Sequence, residues 1–225
     1  MATWKRAKDV ERHYYLSLLT RLDLDRGMNE IHLSDLEGCM EKSFLRRTVR
    51  PVPEMDTPGL LRIARGVAFE DFVTRETRKP VVKDGIICTI DDEACGNIIE
   101  IKATIKSAGK FHPLKTYPWW AERMKGYCYA YGVNEIVLNV FHFVWYRGSE
   151  ERIRSYRIKF TDEELEENWK EKLRRAEIFR ACLKFGAHVP PHEIHPHKFG
   201  GGRSECDNCE WKERCYWIQS NQGEK

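Results

Sequence analysis

The run Ile98-Ile99-Glu100-Ile101-Lys102 sets a carboxylate and an ammonium two residues apart inside an apolar stretch. In an extended strand alternate residues share a face, so Glu100 and Lys102 point one way and Ile99 and Ile101 are expected in the core. Burying a carboxylate beside a lysine is costly without a partner or a task. Another carboxylate, Asp91, ends the preceding run Ile86-Ile87-Cys88-Thr89-Ile90, and a hairpin between the two runs would bring it to Glu100. Two carboxylates a few ångströms apart suit Mg²⁺ or Mn²⁺, hard cations that prefer oxygen ligands. Lys102 could then orient or deprotonate a water whose pKa the ion lowers, which is the chemistry that opens a phosphodiester. A cross-strand salt bridge is the plainer reading, since Glu-x-Lys arises easily by chance. The adjacent Asp92 rivals Asp91, because a one-residue shift of register exchanges their faces.

A separate constellation stands near the other end, in Cys206-Asp207-Asn208-Cys209 followed by Cys215. Cys-x2-Cys holds two thiolates on one tight loop, a spacing that metal sites use repeatedly. Three thiolates leave a tetrahedral site open, and Cys39, 167 positions earlier, is the candidate for the fourth. Zinc and an iron–sulfur cluster fit this spacing equally. The other cysteines, Cys88, Cys95, Cys128 and Cys182, occur singly and read as small buried hydrophobes. His188, His192, His195 and His197 cluster in a Pro- and Gly-rich stretch that reads as a solvated loop, with a metal site as the alternative.

Positioning these groups requires regular elements. Ser34-Asp35-Leu36-Glu37 has the form of a capping box and predicts a helix of about three turns carrying Leu36, Cys39, Ser43 and Phe44. Pro51-Val52-Pro53 follows. Thr57-Pro58 predicts a second helix start, with Leu60, Leu61, Ala64, Val67 and Ala68 on one face and an end toward Arg78. Short β-type runs come next at Val81-Val82, Ile86 to Asp91 and Ile98 to Thr104, broken by Asp84-Gly85 and Cys95-Gly96-Asn97. Pro118 opens a helix that reaches Tyr131-Gly132, and strands are expected over Glu135 to Arg147 and Arg152 to Phe160. Thr161 to Glu164 is another capping box, whose helix sets Leu165, Trp169, Leu173, Ala176, Phe179 and Leu183 at helical steps and stops at Gly186. The fold class expected is α/β, a mixed sheet with helices on both faces.

Composition bounds the function. Of 225 residues 32% are charged and 41% hydrophobic, enough apolar material for a core, which excludes disorder for most of the chain. The formal net charge is only +3. Ile136 to Tyr146, 11 residues, is the longest uncharged apolar stretch, and a helix needs roughly 20 to cross a membrane. The beginning, MATWKRAKDVERHYY, lacks a secretory pattern, so a cytoplasmic location is expected, where eight cysteines stay reduced. Gln occurs only at positions 219 and 222 amid many charges, a hint of a thermophilic source. No internal repeat is visible.

Charge is concentrated locally. Lys102, Lys106, Lys110, Lys115, Arg123 and Lys125 lie in one stretch whose only acid is Glu122, interleaved with Phe111, His112, Tyr117, Trp119 and Trp120. Cations for phosphates and aromatic faces for bases suit single-stranded DNA, with Lys106, Lys110, Lys115, Trp119 and Trp120 as the contacts. Alternatively Trp119 or Trp120 belongs to the core.

The order of these features resembles the RecB-like branch of the PD-(D/E)XK nuclease superfamily. In that branch a helix carries Gly and, four residues later, His; a strand ends in Asp; the next strand bears Asp/Glu-x-Lys; and a following helix carries Gln-x-x-x-Tyr. Here Gly66, Asp91, Glu100, Lys102 and Tyr127 take these places, while Glu70 stands for His and Arg123 for Gln. One cysteine before such a core and three after it resemble the iron–sulfur nucleases, among them the CRISPR-associated RecB-like exonucleases and the AddB-type repair enzymes. With no Gly-x-x-x-x-Gly-Lys-Ser/Thr motif, the stand-alone CRISPR-associated family is the nearer match, over about Leu33 to Trp217.

The resemblance implies a restriction-endonuclease-like core over residues 51–186, an N-terminal helical segment over 1–50 with the first cluster cysteine, and a C-terminal cluster segment over 187–225. It implies metal ligation by Glu70, Asp91, Glu100 and the Ile101 carbonyl, with Lys102, Tyr127 and Arg123 completing the catalytic set. It also implies a structural iron–sulfur cluster on Cys39, Cys206, Cys209 and Cys215, usually [4Fe–4S] and sometimes [2Fe–2S], with zinc as the alternative. The activity implied is metal-dependent exonuclease action on single-stranded or splayed DNA ends, trimming precursor spacers for the CRISPR integrase complex. A repair or viral nuclease of the same fold, and a catalytically weak DNA-binding subunit, are the alternatives. Homo-oligomerisation is left open.

Overall fold

The structure, a computed structural model, describes residues 8–21, 27–49, 57–74, 79–104, 108, 111–143, 152–196 and 205–216. Helices α1 (Lys8–Arg21), α2 (Met40–Thr48) and α3 (Thr57–Val73) come first. Strands β1 (Val81–Lys83) and β2 (Ile86–Cys88) form a small hairpin, and β3 (Asp92–Ala94) and β4 (Asn97–Thr104) form another. Helices α4 (Pro113–Thr116) and α5 (Pro118–Tyr131), strands β5 (Glu135–His142) and β6 (Arg152–Lys159), and helix α6 (Asp162–Phe185) complete the order.

The main sheet runs β3-β4-β5-β6. Its central pair, β4 with β5, is parallel, and both outer pairs are antiparallel, so the sheet is mixed and the chain is α/β. A parallel pair needs a crossover connection, which α4 and α5 supply. Ile98, Glu100 and Thr104 of β4 share a buried face with Ile136, Leu138, Val140 and His142 of β5, and the apolar members of that face join the core with α5 and α6. On the opposite face, Phe69 of α3 packs edge-on against Phe141 and Phe143 at 4.7 and 5.1 Å between centroids. Helices therefore flank the mixed sheet. No helix among the described residues is long and apolar enough to cross a membrane.

Several boundaries match their sequence signals. Helix α6 opens on a reciprocal cap: Glu164 N donates to Thr161 Oγ1 (3.2 Å) and Thr161 N to Glu164 Oε2 (2.9 Å). Both α5 and α6 end on a glycine in the left-handed region, Gly132 and Gly186, with φ 68° and 63°. Tyr129 stacks on Trp169 at 4.9 Å between centroids, and Trp169 Nε1 donates to Asp84 Oδ2 (2.9 Å), tying α5 and α6 to the β1–β2 turn.

The helix expected from Ser34-Asp35-Leu36-Glu37 is corrected. A single 3₁₀ turn spans Leu33–Asp35, and α2 begins only at Met40 with Cys39 as its N-cap. The cap that forms is Asp35 Oδ2 accepting from His32 N (2.9 Å), and the same oxygen accepts from Arg47 (2.7 Å). Glu37 is thus released from capping. Helix α1 was not anticipated, since its apolar residues make no periodic stripe. The expected strand over Ile86 to Asp91 stops at Cys88, and Asp91 stands between β2 and β3. The Pro51-Val52-Pro53 stretch, residue 78 and residues 144–147 lie outside the described residues.

Candidate metal and nuclease site

Hairpin β3–β4 brings the carboxylates together. Asp91 N donates to Ile99 O (3.1 Å), and the Asp91 carboxylate accepts from Ile101 N (2.7 Å). This anchors Asp91 beside the strand that carries Glu100 and Lys102. Lys102 Nζ contacts Glu100 Oε1, lies 3.8 Å from Asp91 Oδ2 and donates to Ile101 O (3.1 Å). Asp92 faces elsewhere: it pairs with Ile99 in the ladder, is half-buried, and accepts from Glu93 N (2.9 Å).

One expectation about β4 holds only in part: Ile101 is buried as expected, at 8% exposed, but Ile99 is not. Glu100, 1% exposed, points to the better-buried face with Ile98, while Ile99 is only half-buried. Alternation pairs residues by face but does not say which face the helices cover. Helix α5 covers this one, carrying Arg123 and Tyr127 one turn apart toward Glu100. Neither Glu100 oxygen has a well-directed hydrogen bond among the described residues. Burial, then the charge of Glu100, pushes Asp91 up to about 7, against the pull of Lys102; Glu70 of α3 adds to the rise. Burial and the Glu100 charge also push the Tyr127 hydroxyl upward.

The structure thus brings Asp91, Glu100 and Lys102 into contact, with the Ile101 carbonyl against Lys102, Glu70 close enough to act on Asp91, and Arg123 and Tyr127 behind Glu100. Were a hard divalent cation to bind here, the buried Glu100 and the half-buried Asp91 would offer carboxylate oxygens, for which the Lys102 ammonium now serves as counter-charge. No group of three or more His, Cys, Asp or Glu side chains stands ready-made to hold a metal ion among the described residues.

Sequence reasoning missed Glu37. Its Oε2 accepts from Arg123 Nε at 2.5 Å across 86 positions of chain. Gly126, one turn further along α5, permits the approach: a Cβ there would lie 2.8 Å from Leu33 Cδ2. No local pattern marks such a pair.

The stretch proposed to meet a single strand divides. Lys106 and Lys110 lie outside the described residues. Lys115 is exposed on α4. Trp120 tilts on Tyr117 (4.3 Å between centroids) and packs against the core, whereas Trp119 is half-buried and meets Tyr117 edge-on at 5.3 Å. Phe111, buried, meets His142 edge-on at 5.0 Å and contacts Tyr156 of β6 at 6.4 Å.

The four motif cysteines line one pocket. Cys39, Cys206, Cys209 and Cys215 meet there with Lys42, Leu45, Glu205 and the buried Trp211, whose Nε1 has no hydrogen-bond partner among the described residues. Burial pushes Cys39 up to about 12 and Cys209 up to about 11, with Cys206 adding to both. Burial pushes the separate thiols Cys88 and Cys128 up to about 12 as well, so what sets these four apart is that they meet in one pocket. Ion pairs fasten the two chain segments around it: Lys42 Nζ lies 3.7 Å from Glu205 and 3.6 Å from Glu210, and Arg46 Nε donates to Glu210 Oε1 (2.6 Å).

The chain matches no family model and no curated protein. Its fold has a solved counterpart. The crystal structure of SSO0001 is similar over 91% of this chain and 96% of that one, with a TM-score of 0.54 and 17% sequence identity. At that identity the likeness is one of fold.

Two sequence readings are adjusted here. Cys95 is exposed at the β3–β4 turn, with φ 53°, whereas Cys88, Cys128 and Cys182 are buried as expected. His188 is not merely part of a solvated loop. Its Nδ1 meets the buried Glu41 at 2.6 Å, and its ring lies between Phe44 and Tyr216. His192 and His195 are exposed, and His197 lies outside the described residues.

Proposed function

We propose that the chain is a metal-dependent DNA exonuclease of the RecB-like, PD-(D/E)XK type, acting on single-stranded or splayed ends. The observation that carries the reading is the contact of Lys102 with both Asp91 and Glu100 at the end of one hairpin. Held by Asp91, Glu100 and Glu70, with the Ile101 carbonyl, a Mg²⁺ or Mn²⁺ ion would supply a water of lowered pKa and neutralise charge on the scissile phosphate. Lys102 would orient that water, and its bond to Ile101 O fixes the ammonium at the strand end. Tyr127, itself buried, lies close enough to Glu100 for that carboxylate's charge to push its hydroxyl upward. The four-cysteine pocket supports a structural iron–sulfur cluster, [4Fe–4S] before [2Fe–2S], that joins the terminal segments. By family resemblance, the products would be precursor spacers delivered to a CRISPR integrase complex. A catalytically weak DNA-binding subunit is favoured by a single observation: Arg123, in the family's Gln position, is engaged by Glu37.

Side-by-side substitutions of Asp91 and Asp92 test the site. With single-stranded DNA in Mn²⁺, Asp91→Ala should lose cleavage by about a hundredfold or more, the scale of a lost transition-state contact, while Asp92→Ala should cleave as wild type does. Equal activities would remove Asp91 from the site.

A track for the strand is suggested by the sheet register. Lys102, Val140 and Arg154 stand side by side on neighbouring strands and share a face. Strand spacing puts the Lys102 and Arg154 backbones about 10 Å apart. Half-buried Tyr117, Trp119 and Tyr156 lie on or near this path, and Arg154 and Lys115 are exposed. Replacing Lys115 and Arg154 together with Ala should weaken single-strand binding and flatten the salt slope by about 1.4, since each lost phosphate contact removes ~0.7. Arg157→Ala, on the opposite face and paired with Glu135 at 2.7 Å, should leave the slope alone. An unchanged slope in the double variant would show that this row does not meet DNA.

A further inference from the structure

Behind Glu100 lies a chain of charges that the nuclease motif does not account for. Glu37 has a buried side chain, with Oε2 on Arg123 Nε and Oε1 without a hydrogen-bond partner among the described residues. The other arm of the same guanidinium, Nη1, lies 3.9 Å from Glu100 Oε1. Arg123 therefore stands between two buried carboxylates, one in the metal site and one outside it. Lys172 of α6 also acts on Glu37, and burial of Glu37 works against its ionisation while Arg123 and Lys172 favour it.

We propose that Arg123 competes with a divalent cation for Glu100, and that Glu37 tunes this competition by drawing part of the guanidinium charge to itself. The inference rests on the reading of Asp91 and Glu100 as metal ligands. A fixed cation about 4 Å from a ligand carboxylate in a poorly solvated site must lower that carboxylate's affinity for another cation. A neutral Gln at this position would impose no such cost. Glu37 acts through Arg123 and is a positioning residue: it holds the guanidinium at a set distance and shares its charge. The plainer role for the pair is to brace the segment before α2 against α5. That role predicts the same sign for both substitutions, because loss of either partner would loosen the site. Charge competition predicts opposite signs.

The experiment is titration of the 225-residue protein with Mn²⁺ alone, without DNA, reading free Mn²⁺ by electron paramagnetic resonance. Arg123→Gln is expected to bind Mn²⁺ about tenfold more tightly than wild type, a change of ~1.4 kcal/mol. Glu37→Gln, which leaves the guanidinium wholly to Glu100, is expected to bind about threefold more weakly, or less well still. The double variant should lie close to Arg123→Gln, since Arg123 is the nearest partner of Glu37 and the direct effect of Glu37 on Glu100 is the smaller one. Arg123→Lys, which keeps the charge, should not tighten binding. Should Glu37→Gln fail to fold in a metal-free melt, Arg123→Gln against Arg123→Lys still decides. Weaker binding in Arg123→Gln, or binding equal to wild type, overturns the inference. Glu100→Ala separates the two levels. If it binds Mn²⁺ as wild type does, the metal-site reading falls and takes this inference with it. If it loses Mn²⁺ while Arg123→Gln is unchanged, the inference falls alone.

Discussion

Lys102→Ala protein is expected to bind single-stranded DNA with wild-type affinity and to cleave it at least ~10³-fold more slowly, within the range that a positioned proton-transfer group contributes. The argument begins with the place of the ammonium. Lys102 touches Glu100, lies 3.8 Å from Asp91 and is fixed by the Ile101 carbonyl, so its charge is confined to the strand end where the two carboxylates meet. A group so confined adds little to the grip on a long polyanion, whose affinity comes from many phosphate contacts. On the proposed reading its contribution would be felt when a water attacks, and loss of such a contact lowers turnover rather than binding.

The same contacts raise a competing explanation, that Lys102 merely neutralises the buried Glu100 and the half-buried Asp91. Breaking a buried ion pair by deleting one partner costs about 3–5 kcal/mol, because the other charge is left uncompensated. The metal-free Lys102→Ala protein should therefore melt lower than wild type, and saturating Mn²⁺ should restore much of the difference by supplying the missing charge. Lys102→Arg separates the roles. It restores the charge and hence the stability, but its guanidinium stays protonated and has a different shape, so cleavage should remain lost. Full activity in Lys102→Arg would reduce Lys102 to a counter-ion. Wild-type protein that cleaves no faster in Mg²⁺ or Mn²⁺ than Lys102→Ala would end the enzyme reading and leave the DNA-binding subunit.

How far the sequence revealed this site depends on which contacts are local. Asp91 and Glu100 lie within one hairpin, and the turn at Cys95-Gly96 together with the alternation of β4 sufficed to bring them together. The ends of α5 and α6 were legible because proline, capping box and glycine act within a few residues. Ser34 to Glu37 misled for a related reason. A capping pattern states what a segment can do alone, and here Asp35 turned back to His32 and Arg47 while Glu37 was claimed by Arg123. The buried side of β4 was likewise invisible, since pattern alone could not reveal that α5 lies over Glu100. Arg123 in the Gln position could be noticed from the sequence, but its partner could not, and the pair changes what that residue can do.

Cys39→Ser is expected to yield protein without iron, sulfide or brown colour after anaerobic purification, and with much of its solubility lost. The structure supplies the reason for so large an effect from one sulfur. Cys39 caps the first turn of α2, whereas Cys206, Cys209 and Cys215 belong to a short segment with one four-residue 3₁₀ turn. Besides the cysteine pocket, Trp211 and the ion pairs from Lys42 and Arg46 to Glu205 and Glu210 join that segment to α2. Lys42 and Arg46 are partly exposed, but the Glu210 carboxylate they share is buried, so these pairs hold more than a surface pair does. A structural metal contributes roughly 10 kcal/mol in small domains, because the ligands are gathered only in the folded chain. Arg46→Ala leaves the buried Glu210 to Lys42 alone, so it should lower the melting temperature by several degrees and keep the colour. Cys95→Ser, at an exposed turn remote in the fold from the pocket, should keep both colour and stability. Cys39→Ser should lose both together, and the buried Trp211 should then become accessible, seen as a red shift and quenching of tryptophan fluorescence. A colourless wild-type protein carrying one zinc would replace the iron–sulfur cluster with a zinc site on the same four thiolates. Retention of iron by Cys39→Ser would remove Cys39 from the ligand set, and with it the case that the centre joins the two segments.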